Sequence, residues 1–227
     1  MIRKGRPLHE IECWIFDLDN TLYPATATVY PEVEARMNEF IAAELKIDLA
    51  AAVELRKRFF AAYGTTLRGL MNDYGMAPRP FLDFVHELDL SGLVRDERLA
   101  AALSALPGRK VIFTNATERH AERVLAQLGL TSHFCGIHDI EACRFVPKPD
   151  PSGYRALIDR HRIDAARAAM VEDIARNLVP AAALGMTTVW LRGGPHTEEA
   201  DVEHIHHIVE NLAEFFAAIS LPAPPEP

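Results

Sequence analysis

The stretch CWIFDLDNTLYP, from Cys13 to Pro24, decides how the rest of the chain is read. A short apolar run, Cys13 to Phe16, leads straight into two carboxylates, Asp17 and Asp19, one residue apart. An unbroken apolar run of this length is the pattern of a strand buried on both faces, as in a parallel sheet covered by helices. In an open α/β sheet, residues just past the carboxyl ends of the strands face the ligand crevice. Two acids placed there repel one another and tend to take up protons unless a cation offsets them.

Working outward, similar runs recur at Lys110 to Thr114, Ala168 to Glu172 and Thr187 to Leu191. Helical patterns separate these three. TERHAERVLAQLG opens on a Thr117 cap and stops at Gly129, PSGYRALIDRH opens on Pro151, and ARNLVPAAALG ends at Gly185 with Pro180 near a kink or the helix start. Alternation of strand and helix predicts a parallel sheet flanked by helices. Residues 25–106 break the rhythm: PEVEARMNEFIAAEL and DLAAAVELRKRFFAAYG are long amphipathic patterns, and no strand stands out. This predicts a helical insert between the first and second strands, with residues 1–24 and 107–227 forming the core. The end, LPAPPEP (221–227), reads as a loose tail.

Composition narrows the function. The 227 residues are 49% hydrophobic and 25% charged, ordinary for a globular protein, and the net charge of -8 argues against a partner such as a nucleic-acid polymer. Cys13, Cys135 and Cys143 have no C-x-x-C spacing and read as reduced thiols of a cytoplasmic protein. No apolar run approaches the roughly 20 residues of a membrane span, and MIRKGRPLHEIE lacks the apolar stretch of a secretory signal.

The strand ends bring chemistry together. Asp17 follows the first strand, Thr114 and Asn115 close the second, Glu172 and Asp173 close the third, and Lys148 lies in a proline-rich loop between those two. Carboxylates without nearby Cys or His ligands favour Mg²⁺, which keeps waters and shares its shell with a phosphate. Asp17 is then a candidate nucleophile towards a phosphoryl group, and Asp19 is close enough to act as acid and base. Lys148, the Thr114 hydroxyl and backbone N–H groups after Asp17 and around Asn115 and Ala116 would hold the phosphoryl oxygens.

DLDNT (Asp17 to Thr21), FTN (Phe113 to Asn115), KP (Lys148, Pro149) and VED (Val171 to Asp173) resemble, in order, the four motifs of the haloacid dehalogenase-like (HAD) hydrolase superfamily. The resemblance implies a Rossmann-like, three-layer α/β core with a helical cap of the first type (C1). It makes Asp17 the nucleophile and Asp19 an acid/base that binds Mg²⁺ through its backbone carbonyl. Asp173, with Glu172 beside it, completes the metal shell. WIFDLDNTLYP, YGTTLRGLM (Tyr63 to Met71), FTNATERHAERVLAQLGL and VEDIARNL together resemble the pyrimidine 5′-nucleotidase branch. That branch usually carries two Asp and a Ser where this chain has Glu172, Asp173 and Ile174. The implied activity is Mg²⁺-dependent hydrolysis of a small phosphomonoester, with pyrimidine nucleoside 5′-monophosphates first. Phosphoglycolate or a sugar phosphate, a haloacid dehalogenase, and a non-catalytic phosphate-binding module are the alternatives.

Three further groups are singled out. Tyr63, Arg68 and Asn72, in the insert, are candidates to meet the substrate's leaving group, with ordinary packing and surface charge as the alternative. His204, His206 and His207 invite a metal reading, against which the stretch resembles a terminal strand entering the last helix. His120 reads as structural or as support for the site.

Overall fold

The computed structural model describes residues 5–24, 26–27, 29–194 and 202–220. Among these, six strands form one parallel sheet: β1 (Cys13–Phe16), β2 (Arg109–Phe113), β3 (Gly136–His138), β4 (Ala168–Glu172), β5 (Thr187–Leu191) and β6 (His207–Val209). Their spatial order is β3-β2-β1-β4-β5-β6. The chain builds outward from β1 in one direction, then crosses over and builds outward in the other. That reversal opens a crevice beyond the carboxyl ends of β1 and β4.

Side chains alternate across the sheet. Trp14 and Phe16 enter one apolar cluster with Ile112, Ala169 and Val171, while Cys13 and Ile15 enter the other with Val111, Ala168 and Met170. Helices α5 (Glu97–Ala105), α6 (Glu118–Gln127) and α9 (Leu212–Ser220) contribute to the first cluster; α7 (Pro151–His161) and α8 (Val179–Ala183) contribute to the second. With both faces covered, β1 has no side to turn to water, which is why its sequence is apolar throughout.

The segment between β1 and β2 carries α1 (Val29–Leu45), α2 (Leu49–Tyr63), α3 (Thr66–Tyr74), α4 (Pro78–Val85) and α5. Helices α1–α4 bury a cluster of their own, centred on Phe40, Ile41, Phe59, Leu70 and Phe81. Helix α5 instead packs on α9, and its Leu99 and Leu103 join the sheet's cluster. Helix α1 bridges the two, with Val29 and Val33 in the sheet's cluster and Phe40 and Ile41 in the helical one.

Local chemistry sets the helix ends. Thr117 caps α6 by accepting from the His120 N–H, and Gly129, just past its end, is left-handed at φ 66°. Pro180 sits in the first turn of α8, where its missing N–H costs nothing. Gly64 ends α2 at φ 83°, and a Cβ there would stand 3.2 Å from the Lys148 carbonyl oxygen. Glycine is thus what lets the α2–α3 turn approach the Lys148 loop.

One strand, β3, was not expected from the sequence, whereas β6 falls where a terminal strand entering the last helix was expected. β3 has three residues and no apolar run to announce it. β6 begins at His207, within the histidine cluster, and leads into α9. His204 Nε2 lies 2.8 Å from the Ala175 carbonyl oxygen, and His206 Nδ1 accepts from the Thr188 N–H at 3.0 Å. These two histidines are engaged with the neighbouring backbone. The tail at 221–227 lies outside the described residues.

Candidate active site

Register brings the motif residues to one level. Phe16 pairs with Ile112 on one side and Val171 on the other. The next residue on each strand is therefore Asp17, Phe113 and Glu172, side by side at the crevice. The Asp17 N–H donates to the Val171 carbonyl at 2.9 Å, which continues the ladder by one bond and holds its backbone.

Lys148 reaches this point from the loop before α7. Its Nζ lies 2.6 Å from Asp17 Oδ1, 2.9 Å from the Phe113 carbonyl oxygen and 3.4 Å from Glu172 Oε2. Asn115 anchors the loop, its Oδ1 accepting from the Lys148 N–H at 2.8 Å. Burial alone would push the ammonium down, but the Asp17 and Glu172 carboxylates outweigh it and raise the Lys148 pKa.

Three carboxylates share this one ammonium. Ligand atoms of Asp17, Glu172 and Asp173, all buried, lie within 4.8 Å of one another. Burial raises Glu172 far above the ordinary carboxylate range, with Asp17's charge adding to it and Lys148 opposing. Asp173 is raised for the same reasons in the same order. Glu172 Oε1 accepts from Asn177 Nδ2, and Tyr154 OH donates to the Asn177 carbonyl. Asp173 Oδ2 is buried with no hydrogen-bond partner among the described residues. An orphaned carboxylate oxygen in an all-oxygen cluster is what a hard divalent cation satisfies.

Asp19 lies apart from that cluster. Its Oδ1 accepts from Tyr23 OH at 2.6 Å and faces His120 Nε2 at 3.1 Å. Burial works to raise its pKa, but the His120 ring and its hydrogen bond, with that from Tyr23, hold it below the ordinary value. The Leu18 and Asp19 N–H groups have no acceptor among the described residues, so both remain available to an oxyanion. Thr114 is buried, and its Oγ1 accepts from the Ala116 N–H at 3.0 Å. That occupies the Ala116 donor and leaves the Thr114 hydroxyl proton for a ligand.

Above these groups is a cleft of about 150 Å³ between the sheet's edge and α1–α4. Tyr30, Met37, Arg56, Phe60, Thr66 and Leu67 line it from the helical side; Tyr63, Arg68 and Asn72 do not. Tyr63 OH donates instead to Asp73 Oδ1 at 2.6 Å, and Asn72 is exposed. Several cleft residues that sequence reading missed are cationic or aromatic, Arg56, Phe60 and Arg176 among them. Arg56 is held by Glu34 at 2.6 Å and Asn38 at 2.9 Å, and the Arg176 guanidinium lies 4.4 Å above the Phe60 ring. Arg176 follows the VED motif by three positions, the one sequence clue that it belongs near the site.

Comparison with known proteins agrees with this architecture. A family model described as haloacid dehalogenase-like hydrolase matches residues 11–185. The Saccharomyces cerevisiae protein called phosphate metabolism protein 8 is 28% identical over 191 residues, covering 76% of this chain and 59% of that protein. The chain thus spans less than two thirds of that relative's length. Among solved structures, L-2-haloacid dehalogenase from Xanthobacter autotrophicus aligns at a TM-score of 0.59 and 17% identity, covering 92% of this chain and 98% of the other. The HAD-hydrolase YfnB from Bacillus subtilis, solved bound to magnesium, aligns at 0.60 and 16%, covering 93% and 99%. At such identities the structural likeness establishes the fold alone. The family match runs from the start of β1 past α8, takes in every strand end that supplies a site residue, and shows that the chain belongs to the haloacid dehalogenase-like hydrolase family.

Proposed function

We propose that this protein hydrolyses small phosphomonoesters with Mg²⁺ through an aspartyl-phosphate on Asp17, acting on nucleoside 5′-monophosphates, pyrimidine ones first. The observation that carries this reading is the pairing of Lys148 with Asp17 at 2.6 Å beside the buried, orphaned Asp173 oxygen. Asp17 and Asp173 would hold the cation with the Asp19 backbone carbonyl. Glu172, whose oxygens already face Asn177 and Lys148, supports the site from behind. When bound, Mg²⁺ offsets the acids and draws charge from the phosphoryl oxygens.

The chain's own groups do the rest. Asp17 attacks phosphorus while Lys148, the Thr114 hydroxyl and the Leu18 and Asp19 N–H groups hold the phosphoryl oxygens. Asp19 rests as a carboxylate, and the negative charge of a phosphoryl group beside it favours uptake of a proton. It gives that proton to the leaving oxygen as the ester bond breaks, then takes one from the water that cleaves the Asp17 ester. Helices α1–α4 serve as the cap that covers the reaction and selects the leaving group. The 28% identity to a protein named for phosphate metabolism supports the phosphatase reading. Three unpaired thiols suit a reducing cytoplasmic compartment. Among the described residues no helix is long and apolar enough to cross a membrane.

Two observations favour a second substrate class. The Glu172–Asp173 pair and a cleft of about 150 Å³ suit a smaller leaving group, such as a sugar phosphate or phosphoglycolate. Phosphate release across a metabolite panel with Mg²⁺ separates the two. UMP and CMP are expected to lead, and Asp17→Asn to abolish turnover. Turnover of sugar phosphates without UMP or CMP overturns the nucleotide assignment. Activity that survives complete chelation overturns the metal.

A further inference from the structure

Both hydrogen bonds to the Asp19 side chain fall on one oxygen. Tyr23 OH and His120 Nε2 approach Oδ1 at 2.6 and 3.1 Å, and no hydrogen bond reaches Oδ2 among the described residues. The side chain is 23% exposed and lines the cleft. A carboxylate can only accept, so His120 Nε2 and Tyr23 OH each carry the proton of their bond. With two donors on Oδ1, a proton placed there would meet both of them. Oδ2 is the oxygen left to give and receive.

His120 is itself held from the helical side. Its ring stacks on His86 with centroids 4.5 Å apart and planes 21° apart. His86 directly follows α4. Thr117 Oγ1 accepts from the His120 N–H at 3.3 Å and lies 3.3 Å from His86 Nδ1. Burial, helped by His120, pushes His86 down to about 3, so this ring is neutral and stacks without charge repulsion. One side-chain contact therefore joins the end of the α1–α4 unit to the group that holds Asp19.

We propose that Tyr23 and His120 are positioning residues that aim Oδ2 of Asp19 at the leaving oxygen, and that His86 makes this aim depend on the seat of helices α1–α4. The inference rests on the acid/base reading of Asp19 given above. In the first step the Asp17 oxygen–phosphorus bond forms, the ester oxygen–phosphorus bond breaks, and the Oδ2 proton passes to the departing alkoxide. In the second, a water proton passes to Oδ2 as the water oxygen bonds phosphorus and Asp17 is released.

The test uses the whole chain with Mg²⁺ and two substrates that differ in their need for a proton. The alkoxide of a nucleoside monophosphate requires one; p-nitrophenolate leaves without it. Tyr23→Phe and His120→Leu are expected to lower kcat on UMP roughly ten- to a hundredfold with KM little changed. On p-nitrophenyl phosphate the same variants should keep a rapid stoichiometric burst of nitrophenol, followed by slow turnover, because water activation also needs Oδ2. His120→Gln, which retains a donor, should recover most of the loss, and His86→Ala should shift kcat in the same direction by less. Parallel loss of UMP turnover and of the burst assigns these residues a merely structural role and overturns the inference, as does a UMP kcat within about threefold of the unmutated protein in both variants. Tyr23→Phe removes one buried oxygen and keeps the ring, so it answers even if His120→Leu fails to fold. An unmutated protein inert towards every phosphomonoester brings down the functional reading itself, a result separate from any comparison of variants.

Discussion

Lys148 Nζ lies 2.6 Å from Asp17 Oδ1, a contact between residues 131 positions apart that closes the loop before α7 over the end of β1. It is the only ammonium facing the buried acids Asp17, Glu172 and Asp173 among the described residues. The two sides depend on one another: the acids raise the lysine's pKa, and the lysine opposes the rise that burial imposes on Glu172.

Lys148→Met removes that counter-charge while preserving most of the side-chain volume. Loss of a preorganised donor to developing phosphoryl charge lowers kcat by about 10²–10³-fold. Breaking a buried ion pair also costs about 3–5 kcal/mol where the acids stay ionised. Steady-state kinetics and denaturant unfolding at pH 8 measure both; kcat within a few-fold of the unmutated protein contradicts the assigned role.

The raised acids make stability depend on pH with a definite sign. Glu172 and Asp173 have folded pKa values above their unfolded ones, so the folded protein binds more protons. Their contribution is fully present below the unfolded carboxylate range, near pH 4, and is lost as pH rises through the higher folded values. Without divalent cations, Tm should therefore fall from pH 5 to pH 8, and fall less in Glu172→Gln. In the proposed site Mg²⁺ would take the deprotonated acids, so adding it should raise Tm most at pH 8. Thermal melts with chelator and with Mg²⁺ decide this, and a larger Mg²⁺ effect at pH 5 refutes it.

The Arg176 guanidinium lies over the Phe60 ring of α2, both residues line the cleft, and the buried Arg176 Nε has no hydrogen-bond partner among the described residues. A charged hydrogen bond to the leaving group is worth about 1.5–3 kcal/mol. Arg176→Met is expected to raise KM for UMP by about tenfold or more, with a smaller change in kcat. Equal losses in kcat alone would instead assign Arg176 to the chemical step.

Phe216 of α9 is fully buried, its ring 5.4 Å from Trp14 and 5.6 Å from Phe16. Phe216→Ala leaves a cavity behind the strand that carries Asp17, and large-to-small changes of this kind cost about 3–5 kcal/mol. Denaturant unfolding should show that loss in the midpoint with an unchanged m-value. A cost under about 1 kcal/mol would mean that the site collapses around the deletion.

Strand and helix order was legible along most of the sheet because fully buried parallel strands must be apolar on both faces, and helices carry their caps in their own sequence. Cys13–Phe16, Thr117 and Pro151 are such local signals. β3 escaped notice because a three-residue edge strand needs few apolar residues and takes its hydrogen bonds from a neighbour, whereas the equally short β6 was legible in the histidine stretch that enters the last helix. The motif residues could be named from the chain, but their meeting within 4.8 Å follows from register and crossover, which join residues far apart in sequence. Apart from Arg176, three positions past the VED motif, the cleft wall was beyond the sequence. Tyr63 and Arg68 were singled out, yet Arg56, Phe60 and Arg176 line the space, because which side chains of a helix face a site is decided by how that helix packs on its neighbours and by the turn at Gly64.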